Sequence, residues 1–445
     1  MFNTIKNIIM IVFLVFMGIG CGSSGDDPTG SGSNIPIDPW TRLLGSTVAD
    51  EGRAVTVDSS GNVFIAGYTD GALPGMSAPD GRAAFLAKYD ASGERQWIKY
   101  LDASGNQSAM ALTLDSSGNI FITGGTTSAL FGQTFDGGQD VLVAKYDSNG
   151  DCVWGKLFGT DESSSQGFQE NGQKILVDSS GNIYVLGYTD GGLGSSYIGY
   201  KGFFLLKLNA SGSQIWLKNF GISSGNLANQ GYGLAMNGDY LYIGGCMGDD
   251  FNSQTHQGTD GDGDMIVLKI SASDGSTIWT RMAGSVWRDC AKAVTTDSSG
   301  NIYLTGNSDG DFDGKTNPSN GQYRTFVIKY DSSGNKLWSL MQPSPTTTNY
   351  AELGNGITMA NGYLYVAGYS ANTSAYVKDI VIFKYNTEGD LQDTKVYDSG
   401  NIDEAFDIVA DTNGTLYTTG STGASLDDQT HSGGNYDVFL KKLSF

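Results

Sequence analysis

Six tryptophans recur at nearly constant separation, and no other feature constrains this chain so tightly. Trp40, Trp97, Trp154, Trp216, Trp279 and Trp338 each close the same series of segments, with Gln392 standing in the seventh place. Successive marks lie 57, 57, 62, 63, 59 and 54 residues apart. That period is too long for a helix-pair unit and fits four short strands with their loops. The expected fold is all-β, a seven-bladed β-propeller of four-stranded blades spanning residues 38–445.

One period shows the reading. Ala111-Leu112-Thr113-Leu114-Asp115 is an inner strand, Ser116-Ser117-Gly118-Asn119 a turn, and Ile120-Phe121-Ile122-Thr123-Gly124 a second strand. A longer loop leads to a third strand from Asp140 to Asp147, and a turn through Gly150 leads to the strand around Trp154. Short β-branched and aromatic runs bounded by Gly, Ser, Asn and Asp are strand and hairpin signals. The turn Asp-Ser-Ser-Gly-Asn begins at Asp58, Asp115, Asp178 and Asp297, where glycine suits a left-handed residue and aspartate accepts local N–H bonds. Blades four, six and seven depart from it, at Asn237-Gly238-Asp239, Ala360-Asn361-Gly362 and Asp411-Thr412-Asn413-Gly414.

A lysine occupies the corresponding third-strand place in every period: Lys88, Lys145, Lys207, Lys269, Lys329, Lys384 and Lys442. Its stem is expected to be buried, with the ammonium reaching an aspartate of the neighbouring hairpin. Five residues earlier, Asp140, Asp264, Asp379 and Asp437 are expected to order the loop entering that strand. The first tryptophan strand has no inner strands before it, and the last lysine strand has no tryptophan strand after it. The strand at Trp40 should therefore complete the last blade and remove the free sheet edges.

Residues 1–20 combine Lys6, an apolar run from Ile8 to Phe16 and Met17-Gly18-Ile19-Gly20 ahead of Cys21. The apolar run is short for a membrane span. The segment resembles a bacterial lipoprotein signal, which implies lipidation of Cys21 as the mature N-terminus. Gly22 in place of aspartate after it implies the outer membrane by that family's sorting pattern. Residues 21–37 are rich in Gly, Ser and Asp and read as the lipidated cysteine with a flexible tether. The chain carries 26 Lys and Arg against 47 Asp and Glu, a net −21, which disfavours nucleic acid and anionic membranes as partners.

The repeated segments resemble the seven-bladed β-propeller repeat, or SBBP, family of bacterial lipoproteins across about residues 38–445. The resemblance implies a cell-envelope location and an interaction role, and it brings no general catalytic residues. The leading expectation is a monomeric, lipid-anchored, non-catalytic scaffold in the outer membrane, facing the surface or the periplasm. The alternatives are a periplasmic envelope-assembly lipoprotein and, behind it, a propeller enzyme such as a quinone-cofactor dehydrogenase.

Tight turns fall on one face of the ring and the large length differences fall in loops on the other. A protein or glycan partner is expected on that variable face. There Asp309, Asp311, Asp313 and Asn317 repeat the 1, 3, 5, 9 spacing of a calcium loop, while the closing glutamate is replaced by Asn320. Two readings stand, a Ca²⁺ site and the favoured solvated acidic loop; no cofactor is required by either. The run Asp260-Gly261-Asp262-Gly263-Asp264 is a weaker version. His256 and His431 share one loop context with Phe135 of the second blade, so neither is expected to act as a general base. Cys152, Cys246 and Cys290 leave open a Cys246–Cys290 bridge or buried free thiols.

Overall fold

A computed structural model describes residues 39–101, 105–160, 168–190, 193–194, 201–221, 229–257, 263–317, 321–342, 350–372 and 377–445. Among them, 28 strands form seven four-stranded antiparallel sheets. Blade 1 runs Asp50–Val57, Val63–Thr69, Ala83–Tyr89 and Arg95–Tyr100, and the same order repeats through blade 6. Blade 7 takes Asp403–Ala410, Leu416–Thr422 and Asp437–Leu443 from the end of the chain and Trp40–Leu44 from its beginning. The closing pair is antiparallel, in register from Trp40 opposite Lys442 to Leu44 opposite Val438.

First strands of successive blades touch round the ring and are innermost, while fourth strands are the most exposed. Each of the seven hydrophobic clusters draws on two adjacent blades. The core therefore lies between sheets, as two half-buried sheet faces require. Every first strand also slips by one residue at the same place, leaving Arg53, Met110, Gln173, Tyr232, Lys292, Asn355 and Phe406 outside the ladder. A bulge of this kind re-aims one side chain without losing the sheet.

The turns behave as their residues demand. Asp58 Oδ1 accepts the N–H groups of Ser60 and Asn62, each at 2.9 Å, and Gly61 sits at φ 79°. Each hairpin between third and fourth strands also receives the tryptophan of the blade before it. A Cβ on Gly334 would lie 3.0 Å from the Trp279 ring, and one on Gly150 would lie 2.9 Å from Trp97. Glycine there serves both the left-handed backbone and the close approach.

Two expectations are corrected at this docking place. Lys207, Lys269 and Lys329 do not reach aspartates: their ammonium groups donate to the carbonyls of Ala272, Ser332 and Thr387 in the next blade, at 2.8, 2.9 and 3.0 Å. The hairpin aspartate is already committed, since Asp331 Oδ1 accepts from the N–H groups of Ser333 and Asn335. Six of the seven lie over an aromatic ring of their own second strand, Lys88 over Phe64 and Lys145 over Phe121 at 5.2 Å among them.

The blade 6 place of the tryptophan is Asp393, opposite Lys384, and not Gln392. Blade 7 explains the missing indole, because its third and fourth strands come from opposite ends of the chain and no hairpin joins them. Phe445 packs there against Tyr365, ring centroids 5.1 Å apart.

Candidate functional site

The variable-loop face is built on seven equivalent junctions. At the start of a first strand, the N–H of Asp50, Gln107, Glu170, Asp289 or Glu352 donates to the residue preceding the third strand of the blade before. Those acceptors are the carbonyls of Tyr436, Arg82, Gln139, Gly263 and Tyr323. The residue types at the two positions beside each stitch differ from junction to junction. Ala83 faces Gln107 and Gly202 faces Asn229, while Arg324 faces Glu352 with Nη1 3.5 Å from Oε2. In the other four, Asp437 faces Asp50, Asp140 faces Glu170, Asp264 faces Asp289, and Asp379 faces Asp403.

One oxygen of each third-strand acid orders its entry loop: Asp140 Oδ2 accepts from Asp136 N–H at 3.1 Å, Asp264 Oδ2 from Gln257 at 2.8 Å, and Asp437 Oδ2 from Ser432 at 2.7 Å. The second oxygens of Asp140, Asp264, Asp379 and Asp437, and one each of Glu170 and Asp289, have no hydrogen-bond partner among the described residues. Burial, with the neighbouring acid adding to it, pushes Asp50 up to about 6 and Glu170 and Asp289 up to about 7. Burial likewise raises Asp140 and Asp379 to about 6. A second acid beside a buried carboxyl disfavours its charged form, which adds to the effect of burial at Asp50, Glu170, Asp289 and Asp379. The two histidines belong to the same junctions: His256 Nε2 lies 3.7 Å from Asp264 Oδ1, and His431 Nε2 lies 3.7 Å from Asp437 Oδ1.

Above the Asp264–Asp289 junction, blades 4 and 5 part to form a cleft of about 880 Å³. Its lining includes Met282, Trp287, Asp309, Asp311, Tyr330 and Lys336. Trp287 is 55% exposed and Val286 61% exposed, side by side on the loop entering blade 5. That loop is fixed from below: Ser285 Oγ donates to Asp289 Oδ2 at 2.9 Å and accepts from Trp287 N–H at 3.1 Å. An exposed indole on a pinned backbone is an anchor that costs little ordering on binding. Elsewhere Val153, Ile215, Ile278 and Leu337 are exposed one per blade on the outer strands, a scattered arrangement that makes no patch.

A Cys246–Cys290 disulfide, with Cα atoms 4.8 Å apart, joins the second strand of blade 4 to the first strand of blade 5. Of the two readings left open, the bridge is the one present, and it pins the blades that frame the cleft. Cys152 is free and exposed. Sequence reasoning missed Trp287 altogether. The available signal was a count, because seven tryptophans are present and only six fill the repeat.

The acidic loop of blade 5 has a fold-level explanation. Asp311 Oδ1 accepts from Asn317 N–H at 2.7 Å, as Asp250 Oδ1 accepts from His256 at 2.8 Å and Ser425 Oγ from His431 at 3.1 Å. Asp313, at φ 49°, accepts from Ser339 Oγ at 2.6 Å and from Lys336 Nζ at 2.7 Å. Asn252, at φ 48°, likewise bonds Thr280 Oγ1 on its blade's fourth strand. Asp309, Asp311 and Asp313 do not gather as a metal cluster; among the described residues that description fits Asp379, Asp398 and Asp403. Residues 1–20, Cys21 with its tether, Asp260, Asp262 and Asn320 lie outside the described residues.

The sequence profile of the SBBP beta-propeller repeat matches residues 40–74, 96–132, 153–194 and 278–313. The regulatory protein FlaEY of Caulobacter vibrioides is 27% identical over 159 residues, covering 32% of this chain and 17% of that protein. A WD repeat-containing protein of Acanthamoeba polyphaga mimivirus is 29% identical over 181 residues, covering 34% of this chain. The chain thus spans only 17% and 13% of these relatives. Among solved structures, Sqt1 from Chaetomium thermophilum aligns over 90% of this chain and 98% of its own at 11% identity and a TM-score of 0.43. Quinohemoprotein alcohol dehydrogenase from Comamonas testosteroni aligns over 91% of this chain and 76% of its own at 12% identity and a TM-score of 0.41. Likeness at that level carries no argument about activity. Seven four-stranded blades among the described residues make the chain a β-propeller protein, and four of its stretches match the SBBP beta-propeller repeat.

Proposed function

We propose that this protein is a lipid-anchored, non-catalytic binding scaffold of the bacterial cell envelope, and that the cleft between blades 4 and 5 receives its protein or glycan partner. The observation that carries the reading is Trp287, exposed at 55% on a loop held by Ser285 and Asp289, while the six repeat tryptophans are packed between blades. The cleft's mixture of indole, acid and amide suits a polar partner with an apolar face, such as a sugar ring or an aromatic side chain. The Cys246–Cys290 bridge supports an oxidising compartment outside the cytoplasm, and Cys21 supplies the lipid-anchoring cysteine by resemblance.

The test compares wild-type and Trp287→Ala full-length protein on a glycan array and against a fractionated cell envelope. Binding that Trp287→Ala abolishes, with unchanged circular dichroism, supports the reading. Equal binding by the variant places the partner elsewhere. Lipidation is read separately: radiolabelled palmitate is expected in the wild type and not in Cys21→Ser.

A further inference from the structure

We propose that Arg288 and Lys292, with Tyr232 and Gln230 beside them, form a binding site for a small oxyanion at the inner rim of the variable-loop face. The oxyanion is a carboxylate, sulfate or phosphate group.

The bulges bring these residues together. Lys292 is the residue that the first strand of blade 5 leaves outside the ladder, and Tyr232 is its counterpart in blade 4. The Lys292 ammonium lies 3.5 Å from the centre of the Tyr232 ring. Arg288 Nη2 lies 3.4 Å from Gln230 Oε1, which also accepts from the Tyr232 hydroxyl. Arg288 is near enough for its charge to act on the Lys292 ammonium.

The neighbouring bases differ. Arg53 pairs with Glu51, Lys378 with Glu404, and Lys174 with Asp407 at 3.7 Å. Among the described residues neither Arg288 nor Lys292 makes an ion pair, in a chain with 47 acids to 26 bases. Two like charges held together and partly desolvated are unfavourable unless a counter-charge arrives. The face of one tyrosine offsets only part of that cost. Burial and the Arg288 charge hold the Lys292 ammonium down at about 7, a depression that a bound anion would reverse. A planar guanidinium fork next to a point-like ammonium is the donor set that an oxyanion selects.

The experiment measures the melting temperature of full-length protein in sodium phosphate, sulfate or acetate, against chloride at equal ionic strength. A rise in at least one oxyanion is expected for the wild type and for Trp287→Ala. Apparent affinity should fall about tenfold in Arg288→Gln and in Lys292→Met, and Lys292→Arg should recover most of it. Response to acetate alone indicates a carboxylate ligand, and response to phosphate or sulfate indicates a phosphorylated or sulfated one. No rise in the wild type, or a rise unchanged in Arg288→Gln, overturns the proposal. Because Trp287 is not part of this site, the result is independent of whether the cleft binds its partner.

Discussion

Blade 5 is held on its two sides by the same pair of positions filled with opposite chemistry. Toward blade 4 it presents Asp289 to Asp264, and toward blade 6 it presents Arg324 to Glu352. All four side chains are almost wholly buried. On one side the charges oppose, and Arg324 offsets part of the burial that still pushes Glu352 up to about 7. On the other, burial and the neighbouring Asp264 push the Asp289 carboxyl up to about 7 and so favour its neutral form. The position accepts an ion pair, a pair of acids, or an amide opposite a residue without a polar side chain, as at Gln107 with Ala83 and Asn229 with Gly202, so charge complementarity is one solution among three.

The sharpest way to break this symmetry is Arg324→Met. It leaves the buried Glu352 without its countercharge, and denaturant unfolding at pH 8 should show a loss of about 3–5 kcal/mol. Next comes the staple beneath the cleft. Replacing Cys246 and Cys290 by alanine releases a bridge across a sequence separation of 44 residues. Chain entropy makes that worth about 2–4 kcal/mol, so the double variant should unfold earlier and a reductant should reproduce the effect in the wild type.

A pH series reads the buried carboxyls of both kinds of junction, because burial pushes Glu352 beside Arg324 up to about 7 as well. Asp50, Asp140, Glu170, Asp289 and Asp379 have folded-state values of about 6 to 7, above those of free carboxyls. The folded chain thus binds more protons than the unfolded chain between those limits. Their contribution is full below the unfolded values near 4 and is lost as pH rises through 6 to 7. The melting temperature should accordingly be higher at pH 5 than at pH 8. Asp289→Asn should flatten that slope, by about 1–3 kcal/mol at pH 8, because the amide keeps the hydrogen bonds without a proton to lose. Smallest of all, Lys207→Met removes one buried donor from Ala272 O and should cost about 1 kcal/mol.

The architecture was legible because a blade has to repeat its own docking chemistry. The tryptophan spacing, the aspartate turns and the unmatched strand at Trp40 led to seven blades and to the closing pair found between Trp40–Leu44 and Asp437–Leu443. Partners across blades were not legible. Lys269 reaches Ser332, 63 positions away, and nothing local distinguishes that carbonyl from the aspartate one residue earlier. The alternate aspartates of blade 5 resemble a calcium loop in one dimension, yet Asp311 holds a loop N–H and Asp313 a fourth-strand hydroxyl. The junction pairs are 24 to 30 residues apart or, for Asp50 and Asp437, near opposite ends of the propeller's sequence, so their variation emerges only once the blades are assembled.

The proposed function assigns ring assembly to the tight-turn face and binding to the variable face. Hydroxyl-radical footprinting of the native protein in its envelope, against the purified full-length protein, tests that division most directly. Protection is expected at Trp287 and Val286, both exposed at the cleft, with the outer-strand residues Val153, Ile215, Ile278 and Leu337 modified equally in both samples. Protection of the outer strands or the tight turns, with Trp287 unchanged, would contradict it.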